Sequence, residues 1–486
     1  MQSLLSLPSL HLVAPELVLG GGTLLLLMLG AFLKTKKEQV VHFLSLGLLV
    51  LVGFSLFFVK TLSQVSFNGF WVSDFLALGA KVILVISTFI LMLVSSKSWK
   101  KEGVFKFEYP LLMLLALLGM MVMVSAHDLM TVYMALEIMS LSLYVMAAFN
   151  RDNYKSSEAA VKYFVLGAFA SCMTLYGMSL VYGYLGTTNF DALSKISTSL
   201  GVWSYPALLG ALFVFVGFAF KLSLAPFHNW TPDVYEGVPL SVTAYFSTVP
   251  KVASFVLLIR LLQGPLYVIL LEAKELLFFL GLLSMLIGAL GALRQKNIKR
   301  LLAFSAIHST GFLVLGLTTS SEGFQATLIY LLFYLVSMLG IFISLLHLDR
   351  RGKAVATLED LQGLSYEHPA TSLILGFLVF SLAGIPPLPG FFAKVAVLQT
   401  LLGAHFIVVA VLAVILSVIA AYYYLKVIQT VMIDNPLVQT VHSLKAKPEV
   451  VVCVVIAFLV GVMTLCWIYP HPIMSITTRM VRSLMM

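Results

Sequence analysis

The stretch KLSLAPFHNWTPDVYEGVP, residues 221–239, closes a long apolar run that begins near residue 205. A lysine within such a run is costly to place in lipid, so its side chain is expected to face protein or water. Pro226 follows five positions later, removes a backbone donor and frees carbonyls that need partners at membrane depth. We therefore predict a broken membrane helix that lines a polar cavity beside Lys221. A simple proline kink is the alternative.

The composition of the whole chain is that of a membrane protein. Of its 486 residues, 60% are hydrophobic and only 10% are charged, which gives more apolar surface than a water-soluble core can bury. Apolar runs of about 18–25 residues recur, each long enough to cross a hydrocarbon layer of roughly 30 Å as a helix. They predict an all-α polytopic membrane protein of about 14 spans, at residues 15–33, 40–60, 75–95, 109–125, 128–149, 156–185, 205–228, 239–262, 266–293, 297–319, 323–348, 369–402, 405–433 and 449–469.

A second broken span is predicted at residues 384–394, GIPPLPGFFAK, where the last proline precedes Lys394 by five positions. The two breaks fall in the seventh and twelfth spans, five spans apart. Because five is odd, a repeat of this length must run through the membrane in the opposite sense in its second copy. We predict N-terminal helices 1–3 in residues 1–106, two inverted five-helix repeats in residues 107–263 and 264–433, and a last helix in residues 434–486.

The positive charges indicate how the helices are oriented. Nineteen of the 30 lysine and arginine residues fall in the loops on one side, including Lys97–Lys106 and Arg294–Arg300, and six fall on the other. The side rich in positive charge is expected to be cytoplasmic, which places both termini outside. This bias also accounts for the formal net charge of +9, so we do not predict a nucleic-acid partner.

Ionisable residues inside the predicted spans are the candidates for function. Glu137 lies nine residues after Asp128, roughly 14 Å along its helix, and is therefore distant from both surfaces. Burial can shift the pKa of a carboxylate and of an ammonium towards neutrality, and the pKa of each member of such a pair changes when its partner moves, which is what a proton carrier requires. The alternative is a static ion pair that fixes helix register. The other interior candidates are Lys162, Lys221, Lys251, Lys394 and His308. Lys162 and Lys81 also suit snorkelling from a helix end, and Lys81 suits packing against a partner.

The sequence carries no motif for redox chemistry. It has no G-x-G-x-x-G after a strand and no Walker loop. Cys172, Cys453 and Cys466 are isolated in apolar helices without C-x-x-C spacing, so we interpret them as small core residues. No cofactor and no metal are therefore predicted in this chain.

Three motifs resemble those of the antiporter-like subunits of respiratory complex I, the proton-pumping NADH:quinone oxidoreductase. They are residues 221–239, residues 299–308 (KRLLAFSAIH) and residues 384–394, and the resemblance extends over nearly the whole chain. It implies a bacterial cytoplasmic membrane protein, an enzyme subunit whose partners are other membrane-arm subunits, especially a neighbouring antiporter-like one. NADH, FMN, iron–sulfur clusters and quinone would belong to the other subunits.

The resemblance also implies a proton path. Glu137 and Lys221 would form a coupled pair that Lys162 biases, Lys251 would bridge towards the centre, His308 would relay and Lys394 would release protons outside. His228, Asp233 and Glu236 would funnel protons inward, although Asp233 and Glu236 could equally cap the next helix.

Within this family, two features narrow the choice of subunit. Subunit M typically has a glutamate where this chain has Lys394, and subunit L continues into a long lateral helix, for which the residues after Tyr469 are too few. Neither subunit fits. The alternatives for function are a subunit of an Mrp-type sodium/proton antiporter or of a membrane-bound hydrogenase, and a passive membrane scaffold.

Overall fold

The computed structural model describes residues 10–59, 64–200, 203–319, 321–350, 353–434, 445–446 and 450–484. The described residues form a bundle of α-helices with a few short strands at the helix ends. The helices are α1 (Ala14–Phe32), α2 (Lys37–Leu56), α3 (Phe75–Lys101), α4 (Glu108–Ser125), α5 (Leu129–Ala147), α6 (Tyr154–Leu185), α7 (Phe190–Leu200), α8 (Tyr205–Lys221), α9 (Trp230–Gly237), α10 (Leu240–Gln263), α11 (Tyr267–Glu272), α12 (Lys274–Ala292), α13 (Ile298–Gly316), α14 (Ser321–Leu346), α15 (Leu364–Glu367), α16 (Pro369–Ala383), α17 (Pro389–Gly403), α18 (Ile407–Met432), α19 (Val450–Ile468) and α20 (His471–Arg482).

The short strands join loops rather than form a core. β1 (Gln64–Ser66) and β2 (Trp71–Ser73) make an antiparallel hairpin, in which Val65 faces Val72. β3 (Leu348–Arg350) lies between β4 (Lys353–Ala354) and β5 (Lys445–Ala446), also antiparallel. Both small sheets connect ends of membrane helices.

The predicted membrane fold is confirmed. Among the described residues, eleven helices are long and apolar enough to cross a membrane, or twelve if the pair formed by α19 and α20, bent by 88°, counts as one span. α8, α16 and α17 are shorter apolar helices. Each of the fourteen predicted spans contains at least one of these helices. Lys60, Arg351 and Lys447, which enter the predicted charge balance, lie outside the described residues, as do both chain ends.

The structure differs from the predicted spans at two places. The ninth span was predicted from residue 266, but the short helix α11 precedes it and α12 begins only at Lys274. No helix was predicted after residue 469, whereas the structure has α20 (His471–Arg482) there. α20 buries Thr477, Met480 and Val481 and exposes both Arg479 and Arg482, an amphipathic pattern that a search for uniformly apolar runs does not detect.

Both predicted helix breaks are present. α8 ends at Lys221 and α9 begins at Trp230, while α16 ends at Ala383 and α17 begins at Pro389. The first break contains the cis peptide Ala225–Pro226 and the second contains the cis peptide Pro386–Pro387. Gly384 adopts the left-handed conformation with φ +76°, and a Cβ there would lie 2.7 Å from Lys394 Cδ. Glycine is therefore needed at this position for both its backbone and its small size.

Two helix pairs share one packing arrangement. α4 packs on α5, and α12 packs on α13. A Cβ on Gly119 of α4 would lie 2.6 Å from the Met139 backbone nitrogen, and a Cβ on Gly288 of α12 would lie 2.5 Å from that of His308. Glycine thus lets the backbones of each pair approach closely, as in other membrane helix pairs.

The same two pairs begin in the same way. Asp128 caps α5 by accepting from the Met130 amide at 2.8 Å, and Asn297 caps α13 by accepting from the Lys299 amide at 2.9 Å. The first amide of α5 then donates to Thr188 and that of α13 to Ala356, both on later loops. The capping chemistry and the loop contact are therefore repeated in the two halves of the chain.

Several interior and surface assignments need correction. Lys81 does not snorkel from a helix end, because its Nζ lies 2.7 Å from Glu16 Oε1 and both side chains are 3% exposed. The predicted core positions of the cysteines are also wrong: Cys172 and Cys453 are exposed on the bundle and Cys466 is half-buried. Apolar surroundings in sequence do not distinguish a residue facing lipid from one facing the core, since both environments are apolar.

The close approach of α12 and α13 can be tested with Gly288→Ala. The added methyl group would meet backbone atoms of Phe304 and His308, so the helices must separate and part of their packing is lost. We expect less assembled chain in membranes and a lower unfolding temperature of the purified protein. Gly47→Ala is the matched control, because a Cβ at Gly47 meets nothing within 4 Å. Equal effects of the two substitutions would contradict this interpretation.

Candidate ion pathway

Lys221 lies at the first helix break, at the last residue of α8. Its Nζ donates to Ser140 Oγ at 2.6 Å and to Tyr144 OH at 3.2 Å, both on α5. The rings of Tyr144 and Tyr163 have their centroids 5.2 Å and 5.9 Å from this ammonium. Hydroxyl groups and aromatic faces therefore solvate the charge without neutralising it.

Glu137 lies on the same helix as these hydroxyl groups, one turn before Ser140. Among the described residues, Lys221 donates to the two hydroxyl groups and forms no ion pair with this carboxylate, whose buried Oε1 accepts no hydrogen bond. Positions 137, 140 and 144 share one helix face at spacings of three and four residues. The structure thus places the two groups of the predicted pair around a shared hydroxyl cluster rather than in direct contact.

Lys162 belongs to a polar cluster at one end of the bundle. Its Nζ lies 2.9 Å from both Glu158 Oε1 and Asp233 Oδ2, and its side chain is 42% exposed. Arg300 of α13 reaches the same cluster, 3.0 Å from Asp233 and from Glu236. The carboxylates of α9 therefore link α6 to α13, and Lys162 faces this cluster.

Asp233 and Glu236 do not cap the following helix. The first amide of α10, that of Leu240, donates to Glu102 Oε1 at 3.0 Å, and Ser241 Oγ donates to Glu102 Oε2 at 2.7 Å. Burial raises the pKa of the Glu102 carboxyl group. The capping carboxylate comes from a distant loop, which the local sequence around residue 240 does not indicate.

His228 lies within the first break, between α8 and α9. Its Nδ1 is buried and has no hydrogen-bond partner in the described part of the chain. This ring nitrogen is therefore available to bind water.

Lys251 is buried in α10, with 2% of its surface exposed. Its Nζ lies 3.4 Å from the Ala306 carbonyl and 3.3 Å from Thr310 Oγ1, both on α13. The Tyr334 ring centroid is 5.5 Å away. As at Lys221, the ammonium contacts neutral oxygen atoms and an aromatic face.

His308 lies on α13 between the two positions that Lys251 contacts. Its Nδ1 is 3.1 Å from the Met285 carbonyl, which favours the tautomer with hydrogen on Nδ1. The fully buried Nε2 has no partner among the described residues. One ring nitrogen is thus fixed and the other is left to accept a proton.

Lys394 uses the second helix break. Its Nζ donates to the Ala383 carbonyl at 2.8 Å, the last residue of α16. Carbonyls at the end of a helix have no intrahelical partner and carry partial negative charge, so the break supplies the acceptor. The Phe312 ring of α13 is 6.0 Å from this ammonium.

One helix therefore connects the second group of predicted residues. α13 contacts Lys251 through Ala306 and Thr310, carries His308, and contacts Lys394 through Phe312. Lys221 and Glu137 form a separate group around α5. In the described part of the chain no hydrogen bond joins the two groups directly, so a proton moving between them needs water.

Sequence reasoning missed Ser140 and Tyr144. Both have ordinary side chains for an apolar helix, and nothing in their type indicates a role. Their spacing from Glu137 is the available signal, because it places all three on one face. In the described residues no cluster of three or more His, Cys, Asp and Glu side chains could hold a metal ion.

Comparison with known proteins identifies the class. Residues 126–420 match the family described as NADH:quinone oxidoreductase/Mrp antiporter, transmembrane. The chain belongs to this family.

Its relatives are more specific. The chain is 42% identical over 437 residues to NADH-quinone oxidoreductase subunit N of Rhodospirillum rubrum, covering 89% of each chain. It is 40% identical over 475 residues to the subunit N of Pelagibacter ubique, covering 97% of this chain and 99% of that one. The family resemblance expected from the motifs is confirmed. Both relatives are subunit N, in agreement with the features of the sequence that do not fit subunits L and M.

Solved structures agree on the fold. A chain of respiratory complex I from Thermus thermophilus has a TM-score of 0.79 and 30% identity, covering 95% of this chain and 98% of that one. A chain of the Mrp complex from a Dietzia species has a TM-score of 0.80 at 19% identity, covering 98% and 96%. The second likeness is one of fold alone.

The polar cluster around Lys162 can be tested with Asp233→Asn. This removes the charge that both Lys162 and Arg300 contact, so α6, α9 and α13 should separate more readily at this end. We expect faster labelling of a cysteine introduced at Ala159, which packs against Gly237, by a water-soluble maleimide. Asp152→Asn, on an exposed loop, is the control, and equal labelling in both variants would show that the cluster does not hold the helices together.

Proposed function

We propose that this chain is the subunit N of a bacterial NADH:quinone oxidoreductase and translocates protons as part of its membrane arm. The observation that carries the proposal is a set of interior lysine, glutamate and histidine side chains in a chain 42% identical to a protein of that name. The chain itself performs no redox step. Electron transfer and its cofactors, NADH, FMN, iron–sulfur clusters and quinone, belong to other subunits of the complex.

In the proposed mechanism, Glu137 controls the charge on Lys221. The ammonium of Lys221 is held by Ser140 and Tyr144 rather than by an ion pair, so its proton affinity depends on the carboxylate one helical turn away. A charge change delivered by a neighbouring subunit would alter the distance between the two groups. Lys221 would then release its proton towards the centre of the bundle, because an ammonium without a nearby counter-charge is costly in this environment.

The second half of the path runs along α13. Lys251 would pass the proton to water beside Thr310, and His308 would accept it at the free Nε2. Lys394 would receive it next and release it outside. The Ala383 carbonyl accepts from Lys394 Nζ at 2.8 Å, so the lysine has a hydrogen-bond partner while it holds the proton. Each step moves one proton between groups that can both accept and donate.

We propose that protons are taken up at the polar cluster around Lys162. Lys162 pairs with the carboxylates of Glu158 and Asp233. It would bias the Glu137–Lys221 pair through the position of its charge, without direct contact. Asp233, Glu236 and His228 would collect protons from the cytoplasm. Asp233 and Glu236 both pair with Arg300, and their side chains are 32% and 24% exposed, which supports a location at the surface.

We further propose that residues 107–263 and 264–433 are inverted repeats, following helices in residues 1–106 and preceding a last helix in residues 434–486. The repeated caps at Asp128 and Asn297 and the repeated glycine contacts at Gly119 and Gly288 support these limits. The same scheme places both termini on the periplasmic side of the cytoplasmic membrane, in agreement with the distribution of positive charge.

The proton path is tested by Lys221→Ala and Lys394→Ala in inverted membrane vesicles energised with NADH. Each substitution removes the buried lysine at its helix break, so we expect proton translocation to fall by at least about tenfold, or ~1.4 kcal/mol of barrier. Glu137→Gln should also impair it. Lys106→Ala, an exposed lysine of a loop, is the control, and assembly of the complex is checked by native gel electrophoresis.

The outcomes separate the candidate functions. Unchanged translocation in assembled variants would favour a passive scaffold. A pH-gradient response to Na⁺ without NADH would favour a cation/proton antiporter, whose fold the chain also shares. Loss of translocation with normal assembly would support the path.

The orientation is tested by cysteine labelling in a variant that lacks Cys172, Cys453 and Cys466. Arg479→Cys on the exposed face of α20 should react with an impermeant maleimide in intact spheroplasts. Lys100→Cys, near the end of α3, should react only in inverted vesicles. The reverse pattern would show that the termini are cytoplasmic.

A further inference from the structure

A second buried charge lies on the same helix as Lys251. Arg260 follows Lys251 by nine residues on α10, about 14 Å further along the helix at 1.5 Å per residue. Its guanidinium makes a two-pronged pair with Asp74, with Nη1 2.8 Å from Oδ2 and Nη2 2.9 Å from Oδ1. The side chains are 6% and 2% exposed. The charge balance of the sequence counts Arg260 as a loop residue, whereas the structure buries it.

The Arg260–Asp74 pair joins several secondary-structure elements. Asp74 also caps α3 by accepting from the Ala77 amide at 2.8 Å, and Arg260 Nη2 donates to the Val124 carbonyl near the end of α4 at 3.2 Å. Directly beyond, Trp71 of β2 pairs with Ala126, and the His127 amide donates to Phe70. Three helix ends and a hairpin therefore meet at Arg260.

The chemistry of this pair differs from that of the proposed path. A relay group must accept a proton and later release it, but a guanidinium has donors only and stays protonated at physiological pH. Both carboxylate oxygens of Asp74 already accept from Arg260. Arg260 Nε is buried and has no partner among the described residues, so any water beside it must turn its oxygen towards the cation and cannot pass a proton on.

We propose that the Arg260–Asp74 pair is the outer seal of the first half of the proton path. It blocks the direct route from Lys251 along α10 to the outer surface, so protons at Lys251 continue only along α13 to Lys394. This inference rests on the proposed function, because it needs protons at Lys251. It assigns to Arg260 the role of a positioning residue that keeps the two sides of the membrane separate.

The seal is tested by passive proton leak, measured without NADH. An imposed pH gradient across vesicles that contain the whole complex is followed by a fluorescent dye. Arg260→Gln should speed the decay of the gradient several-fold, while NADH oxidation continues and becomes insensitive to an uncoupler. Arg260→Lys keeps the charge and favours assembly, yet an ammonium can release its proton, so it should leak as well. Asp74→Asn retains the guanidinium and should remain tight.

A matched control and a double variant decide where the leak runs. Lys81→Gln breaks the equally buried Glu16–Lys81 pair, whose lysine contacts the Trp71 ring rather than a residue of the proposed path, and should not leak. Arg260→Gln combined with Lys251→Ala should decay at the wild-type rate, because the leak needs the lysine. Three results would overturn the proposal. They are a wild-type rate of pH-gradient decay in Arg260→Gln, faster decay in Lys81→Gln, and faster decay that persists in the double variant. Normal pumping in Lys221→Ala would instead count against the proposed function and leave the leak result standing.

Discussion

The cost of an ionised group in a bundle that has no bulk water is the constraint on which the interior of this protein depends. Insertion scales put a lysine or arginine at the centre of a membrane helix at about 2.5–3.5 kcal/mol. The chain meets this cost in two ways. Arg260 and Lys81 each have a carboxylate partner. Within the described residues, Lys221, Lys251 and Lys394 instead contact hydroxyls, carbonyls and aromatic rings. A carboxylate partner fixes the charge on the side chain, whereas neutral partners leave the side chain able to exchange its proton.

Helix breaks and glycines supply the neutral partners. The Ala383 carbonyl can accept from Lys394 because α16 stops there, and Gly384 allows the lysine stem to pass close to the backbone. α13 approaches α12 closely at Gly288 and so brings the Met285 carbonyl to His308. The same features that weaken a helix in isolation therefore determine where a polar group can lie in the bundle.

Much of this architecture could be predicted from the sequence. Hydropathy located a helix in every predicted span, and the spacing of proline from lysine located both breaks. The sequence could not show which apolar face meets lipid, so Cys172 and Cys453 were misplaced. It also could not show partners contributed by distant segments: Glu16 for Lys81, Glu102 for the start of α10 and Asp74 for Arg260. These contacts depend on packing between helices far apart in the chain, which a local sequence pattern cannot indicate.

The C-terminal helix α20 connects two distant parts of the chain mechanically. It lies across the ends of two other helices: Gln325 of α14 donates to Thr478, the Leu76 amide of α3 donates to Ser483, and Gly79 of α3 accommodates the Met480 side chain. α3 belongs to the N-terminal helices, and α14 to the later part of the chain. α20 therefore acts as a strap between the beginning and the later half of the protein, so a tilt of α14 during turnover would be transmitted to α3 rather than absorbed between them.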